Sequence, residues 1–511
     1  VPTFRAARDT LSRHREDIAA ARAAFSWPDD PRFNWATDWF DTLPPDRPAV
    51  HLIGPHGTTS RTYGQLAAAS RRAAGWLADQ GVERGDAVLL VCGNRIELWE
   101  VLLAAMRLGV VLVPTFPTAT EAEIADRVRR AGVRHAIGVE GGLPLGGWAN
   151  STREVTGVGA GGDDPLFVYF TSGTTSAPKL VPHTHRSWPV GHLSSFYWNG
   201  LVPGDVHANL AAPGWAKHAW SSFFVPFTAE ATVVAFTDDV GPARVRDALD
   251  AHAVTSLCAP PTFWRTLVAS GLGERPRALR EATSAGEKLS ADLLATVREA
   301  WGVSIRDGYG QTEATGMIGT PPGMTVRPGA LGFPLPGYDI ALVDAETGLP
   351  GDEGEIRVDL ATRPPGLSTA CRDTDGWYRT GDLGVRHADG TIECLGRVDD
   401  QFKSFDRRVS PHELEGVLRR HPLVRDAAVV PVPHPIGEWQ PKAYVELVPG
   451  AAVEPAAELF ALAGAELSAE KAIAVIEFVD LLPRTASGKV QRARLRGLPD
   501  RNAYRADAPS R

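Results

Sequence analysis

The sequence lacks what several protein classes require. Its four cysteines, Cys92, Cys258, Cys371 and Cys394, are scattered through 511 residues with no Cys-x-x-Cys pair. That argues against a disulfide framework and a cysteine zinc site, and for a reducing compartment. There is no basic surplus: 53 Lys and Arg stand against 61 Asp and Glu, a net charge of -8. Nothing in that balance recruits nucleic acid or an anionic membrane. There is no long apolar run either. The most apolar span, residues 101–113, carries Arg107 and stops at Pro114, so it does not read as a bilayer crossing. The first residues, VPTFRAARDTLSRHRED, are charged and mixed, unlike a signal peptide. No repeat or low-complexity tract occurs. The expectation is a cytoplasmic chain, monomer or homodimer, in which the sequon Asn150-Ser151-Thr152 is a chance match.

What is present is an ordinary globular composition, 43% hydrophobic and 22% charged. At this length one core does not suffice, and two or three domains are expected. Residues 61–80 place Leu66, Ala69, Ala73 and Leu77 at helical spacing. DAVLLVCG (86–93) predicts a buried strand, residues 96–108 a helix and VVLVPT (110–115) a second strand. That rhythm implies parallel sheet with crossover helices. It recurs in LFVYF (166–170), a segment around 185–197, ATVVAF (231–236), a helix near 243–251, TSLCAP (255–260) and a helix near 290–301. Residues 140–162 are Gly-rich and expected as a surface loop.

Beyond about residue 330, GALGFPLPGYDIALVD, GEIRVDL and GTIECLG predict short strands between Gly and Pro turns, a β-rich subdomain. Near residue 400 the texture changes again. SPHELEGVLRRHP (410–422) predicts a helix with Ser410 as N-cap, Pro411 in the first turn and Glu413 closing a capping box. Strand-like AAVVPVP and KAYVELV, a helix over 456–467 and AVIEFVD complete a small α+β module. The expected fold class is α/β: a large N-terminal domain of parallel-rich sheets with crossover helices and a β-rich subdomain, then a small α+β C-terminal domain.

The stretch FTSGTTSAPKLVPH (170–183) follows an apolar strand with Thr171, Ser172, Gly173, Thr174, Thr175, Ser176 and Lys179. Gly173 lets backbone N–H groups turn inward. The hydroxyls are neutral donors and Lys179 is a point charge, which together suit a polyphosphate. Pro178 before Lys179 rules out a Walker loop. Alone, the stretch reads equally as a polar surface loop. Four further segments follow in order: DGYGQTEATG (307–316), YRTGDLG (378–384), GRVDDQFKS (396–404) and PRTASGKVQR (483–492).

These five segments, in order and spacing, resemble the superfamily of AMP-forming acyl-CoA synthetases, peptide-synthetase adenylation domains and luciferases. The similarity runs from RTYGQL (61–66) to Arg492. FNWATDWFD (33–41) and APGWAKHAW (212–220) look most like medium-chain, aryl and acetyl CoA ligases. The resemblance implies an AMP-forming acid–CoA ligase using ATP, Mg2+ and coenzyme A. A carboxylate attacks the α-phosphate and expels pyrophosphate; a thiol then displaces AMP. It implies that Thr171 to Lys179 hold the β- and γ-phosphates, that Thr312 donates to the α-phosphate, and that Glu313 helps hold the metal. Tyr309 would stack on adenine with Gly286 and Glu287 opposite. Asp382 would accept both ribose hydroxyls, Arg397 would lie nearby, and Lys489 would neutralise charge between acid and α-phosphate. The domains would be 1–398, with the β-rich subdomain at about 330–398, and a mobile 399–511, with the hinge at Asp399. Each residue also has a plainer reading on its own: Asp382 as a turn residue, Lys489 as a solvated lysine, Glu313 as the cap of a helix beginning after Gly310.

The chain departs from the family pattern after the hinge, where it reads DDQFKSFDRRVSP. Asp406 and Ser410 stand at positions of glycine. Ser410 is acceptable as an N-cap. Asp406, in a hairpin with Lys403 and Arg408 that would line the pantetheine tunnel, adds a side chain and a negative charge beside an anionic cofactor. Arg407 and Arg408 can compensate. An adenylation-only enzyme handing acyl-AMP to a partner protein is therefore an alternative. A non-catalytic nucleotide sensor is disfavoured by the intact Lys489, Thr312 and Glu313. Gly310 stands where acetate-specific relatives have a Trp that closes the acyl pocket, so a larger acid is expected. Trp215, His218 and Trp220 would line that pocket, or they are core aromatics with His218 a neutral packing residue. No Asp occurs where adenylation domains bind an amino group, so α-amino acids are not expected.

Overall fold

A computed structural model describes the chain except residues 172–177, 238–240, 287–288, 345–346, 368–372, 375, 405–406, 435–437, 452–453, 468–470, 485–489 and 507–511. Two large sheets form its frame. The first orders its strands Val133–Ile137, Ala87–Val91, Val111–Thr115, Pro165–Thr171 and Lys179–Thr184; all pairs are parallel except the last, an antiparallel hairpin. The second has nine strands. Six of them, Pro48–Gly54, Thr232–Phe236, Val206–Asn209, Ser256–Cys258, Glu281–Ala285 and Ile305–Gln311, run parallel at its centre.

The strand Ala87–Val91 shows why its sequence is a continuous apolar run. Val88 and Leu90 enter the core shared by the two sheets, whereas Leu89 and Val91 pack under the helix Glu121–Ala131. Both faces are covered, so alternation vanishes. The helices Tyr63–Asp79, Ile96–Leu108 and Ser187–Asn199 contribute to that shared core. Thr62 and Gln65 form a reciprocal capping box at the start of the first, and Gly109, with φ of 69°, ends the second in a left-handed turn. Arg107, which interrupts the apolar span in the sequence, is fully buried. Its guanidinium grips Asp41 at 2.8 and 2.6 Å and also bonds Ser70 and the Thr156 carbonyl. Among the described residues no helix is long and apolar enough to cross a membrane.

Two local expectations need correction. The Gly-rich stretch over 140–162 is not wholly a surface loop: Trp148 is buried and donates to Glu100 at 2.6 Å, and Arg153 lies against Gly75. Burying the indole anchors the loop. The helix after residue 410 spans Pro411–Leu418 with no capping box. The Ser410 hydroxyl instead donates to the Leu395 carbonyl at 2.8 Å, and Glu413 pairs with Lys471 at 2.7 Å. A carbonyl of the strand Ile392–Arg397 and a nearby cation take both capping groups.

The β-rich part is an antiparallel sheet of Pro350–Gly351, Ile340–Val343, Glu353–Asp359, Trp377–Arg386 and Asp373–Thr374, with Ile392–Arg397 also on Trp377–Arg386. The small C-terminal domain carries the hairpin Phe402–Ser404 with Arg407–Val409. Its four-stranded sheet orders Val424–His434, Glu438–Leu447, Val475–Val479 and Ala503–Arg505, packed with Pro411–Leu418 and Ala456–Glu466.

Candidate active site

Three of the segments singled out above follow the carboxyl ends of parallel strands. Thr171 ends Pro165–Thr171, Gly286 follows Glu281–Ala285, and Thr312 and Glu313 follow Ile305–Gln311. Ligands of open α/β sheets collect at that edge, where loops are free of the sheet's own pairing. Thr171 and Lys179 form the last register pair of a hairpin. Ser172, Gly173, Thr174 and Thr175 lie outside the described residues, as does Glu287. Arg130 donates to the Pro178 carbonyl and secures the hairpin's return. At Gly286 φ is 107° and an added Cβ would meet nothing within 4 Å, so the backbone there borders open space.

Tyr309, Asp382 and Arg397 come together from three strands. Asp382 and Arg397 are cross-strand partners on Trp377–Arg386 and Ile392–Arg397. Arg397 Nη1 donates to Asp382 Oδ1 at 3.2 Å, the Tyr309 hydroxyl donates to Oδ2, and Gln311 Nε2 donates to Oδ2 at 2.7 Å. A carboxylate has about four lone-pair directions, so these donors leave room for about one more. Burial, and then the Asp382 charge, push the Tyr309 phenol well up. Burial alone would lower Arg397, but Asp382 outweighs it and the guanidinium rises.

Thr312 and Glu313 occupy the tight turn into Thr315–Gly319; no helix follows, so Glu313 caps none. His183, from Lys179–Thr184, reaches this turn: its Nε2 lies 2.7 Å from the Thr312 carbonyl. No local pattern in the sequence marks His183 for this contact. Among the described residues no three His, Cys, Asp or Glu side chains stand together as a metal cage. One carboxylate in this turn fits a Mg2+ that brings phosphate oxygens and water with it.

The proposed acyl wall is aromatic. Trp215 stacks on Phe116 at 5.2 Å and 12°, and Trp220 lies 6.0 Å from His192 and 5.9 Å from Trp198. Gly308 and Gly319 admit the Trp198 ring, since a Cβ on either would fall within 2.5 Å of it. His218 is buried with Nε2 2.9 Å from Asn94 Oδ1, and burial pushes its pKa down to about 3, so it packs as a neutral ring. Lys217, in the same segment, donates to the Ala285 carbonyl beside Gly286 at 2.9 Å. A Cβ on Gly310 would lie 2.0 Å from the Thr315 carbonyl. The missing side chain there is demanded by the register shift between Tyr309 and Gly310, not only by pocket size.

Lys489 lies outside the described residues, but the flanks of its segment do not. Arg484 and Val490 form a β-bridge, and Gln491 N–H donates to the Pro483 carbonyl at 2.7 Å. Arg492 grips buried Glu415 at 2.9 and 2.7 Å and reaches Asp400 at 3.3 Å. Asp399 stands in a short turn 3.8 Å from Arg397. Lys403 and Arg408 are register partners in the following hairpin, and Asp406 lies outside the described residues.

Residues 38–362 match the family described as AMP-binding enzyme, and residues 413–489 match the AMP-binding enzyme C-terminal domain. The chain is 36% identical over 510 residues to 4-hydroxybutyrate--CoA ligase 1 of Metallosphaera sedula, covering 91% of this chain and 90% of that protein. It is 31% identical over 526 residues to mitochondrial acyl-coenzyme A synthetase ACSM3 of Homo sapiens, covering 91% and 89%. The structure of an anthranilate CoA ligase, AuaEII, with anthranoyl-AMP superposes with a TM-score of 0.79 at 26% identity, covering 91% of this chain and 96% of that one.

Proposed function

This chain belongs to the AMP-binding enzyme family, and from that premise we propose that it activates a bulky hydrophobic or aromatic carboxylic acid as acyl-AMP and transfers the acyl group to CoA. The carboxylate oxygen attacks the α-phosphorus as pyrophosphate leaves; the CoA sulfur then attacks the acyl carbon as AMP leaves. The first step brings an anion to a polyanion, so it needs oriented donors and positive charge rather than an enzyme nucleophile. Thr171 and Lys179, with the intervening hydroxyls, hold the β- and γ-phosphates. Thr312 donates to the α-phosphate and Lys489 neutralises charge between acid and phosphate. Mg2+ held by Glu313 would withdraw charge from the phosphate oxygens. Asp382 accepts the ribose hydroxyls, the second by displacing one of its present donors, and Tyr309 packs against adenine.

The observation that carries the reading is the convergence of Tyr309, Gln311, Asp382 and Arg397 beside the Thr312–Glu313 turn. The aromatic wall of Phe116, Trp198, Trp215 and Trp220 supports a large acid. The CoA-ligase names of the relatives support CoA over a protein acceptor. Domain boundaries at 398/399 and a hinge at Asp399 belong to the same proposal. A pyrophosphate-release screen over a panel of acids, with and without CoA, tests it. A large aromatic acid should give the fastest release, with CoA consumed in step. Lys489→Ala should lower acid-dependent release by about 100-fold or more. Unchanged release would remove Lys489 from the chemistry.

A further inference from the structure

We propose that His183 is a positioning residue: its imidazole ties the hairpin carrying the hydroxyl-rich stretch to the turn carrying Thr312, and so sets the spacing between two phosphate-holding segments. This rests on the reading of Thr312 above. The contact crosses between the frame's sheets. His183 belongs to the hairpin of the five-stranded sheet, in register with Phe167. Thr312 belongs to the turn between two strands of the nine-stranded sheet.

The chemistry at the ring is determined by its neighbours. A carbonyl can only accept, so the nitrogen 2.7 Å from the Thr312 oxygen must be Nε2–H. Nδ1 is then an acceptor. Its neighbour is the Ser187 hydroxyl at 3.4 Å, which itself accepts the Thr184 N–H at 2.8 Å and so has its own hydrogen to give. A directional chain results, from the Thr184 N–H through Ser187 and His183 to the Thr312 carbonyl. The ring is completely buried, with Trp188 at 4.1 Å between centroids and Tyr169 at 6.2 Å. Burial pushes its pKa down to about 3, so the neutral Nε2–H form holds throughout the physiological range.

The turn needs such a hold. Thr315, at its far end, has φ of 62°, a left-handed conformation that a β-branched residue adopts only under constraint. Three side-chain bonds contribute to it. The Thr315 hydroxyl donates to the Gly191 carbonyl at 2.9 Å, Tyr338 donates to the Ala314 carbonyl, and His183 donates to the Thr312 carbonyl. Of these three, the His183 bond is the one that originates in the hydroxyl-bearing hairpin.

The test separates the two half-reactions. His183→Leu removes the donor; His183→Gln retains an N–H of similar reach. The assays are acid-dependent ATP–pyrophosphate exchange and thioester formation from synthetic acyl-AMP. We expect His183→Leu to lower the exchange kcat about 10- to 100-fold, with thioester formation within about 2-fold of the parent, and His183→Gln to recover most of the loss. A folded His183→Leu protein with parental exchange, or equal losses in both half-reactions, overturns the inference. Thr312→Val distinguishes the underlying reading: if that variant exchanges normally, Thr312 has no phosphate role, whatever His183 does. Nitrogen-15 spectra of the unmutated protein, with the His183 signal assigned by its absence in His183→Gln, give a readout that does not need the Leu variant to fold. The Nε2–H tautomer from pH 5 to 8 supports the inference; the Nδ1–H tautomer, or titration in that range, overturns it.

Discussion

The large domain and the small one bury polar groups in different proportions: the large domain adds a set of neutral imidazoles to ion pairs such as Arg107–Asp41. The large domain buries neutral imidazoles. His183, His185, His207 and His218 are all at most 3% exposed, and burial pushes them to about 3 or 4. The small domain buries charges in pairs. Glu415 is fully buried and accepts from Arg492, from Arg419 at 3.2 Å and from the Val429 N–H at 2.9 Å. Asp426 accepts from Arg419 at 2.7 Å and from Arg484. Neutral rings fix directions without adding charge. Ion pairs hold Arg484 and Arg492, on either side of the segment that contains Lys489. The contrast is one between directional neutral bonds and paired charges.

Acid should break the comparison in two separate windows, and this is the largest effect expected. A histidine in an unfolded chain titrates near 6.5. Above that value both states are neutral and these rings contribute nothing to pH dependence. Below it the unfolded chain takes up protons that the folded one refuses, so the stability of the large domain falls, by up to about 1.4 kcal/mol per pH unit for each ring. The fall begins near 6.5 and continues toward the folded values of about 3 to 4. The carboxylates run differently. Opposed by burial but outweighed by their arginines, Asp426 drops to about 2 and Glu415 is also lowered. Above about pH 5 both states are ionised and the pairs contribute fully; that stability is lost only as pH falls further. The small domain's own lowered ring, His412, adds a minor part of the earlier window. Calorimetry at pH 7, 6 and 5 should show the large-domain transition moving down well ahead of the small-domain one. Parallel shifts of both would dissolve the distinction.

Removing a charge from the small domain sharpens the same contrast. Glu415→Gln keeps the shape but leaves Arg492 and Arg419 short of an anion, a change that costs about 3–5 kcal/mol in comparable buried pairs. The small-domain transition should fall and adenylation should weaken, because Arg492 stands three residues from Lys489. Nucleotide binding to the large domain, measured by calorimetry, should persist. An unaltered small-domain transition would show the network to be dispensable.

What was legible in the sequence follows the range of the interactions. The helix Ile96–Leu108 and the strand Ala87–Val91 are legible because periodicity and apolar runs are local. The five motifs are legible because each is contiguous. The partners are not. Asp382 meets Arg397 across a strand pair, Arg107 meets Asp41 across 66 residues, and His183 meets Thr312 across 129. No local signal announces that a histidine will find a carbonyl in another sheet. Ser410 and Glu413 show the same limit from the other side: the local pattern is that of a capping box, but tertiary partners compete for both side chains and win.

Ser410 also offers the smallest and most selective test, because its bond reaches across the proposed domain boundary. Its hydroxyl donates to the Leu395 carbonyl, on the far side of the proposed hinge at Asp399. If the small domain rotates there between the two half-reactions, this bond exists in one arrangement and not in the other. A neutral hydrogen bond contributes about 1 kcal/mol. Ser410→Ala should therefore change the balance of arrangements by about 5-fold while leaving both unfolding transitions nearly in place. The consequence is a change in ratio: adenylation and thioester formation, measured separately, should move in opposite directions. Equal slowing of both would mean that the bond merely supports the helix start. No change in either would mean that the rotation pivots elsewhere and that Asp399 is not its axis.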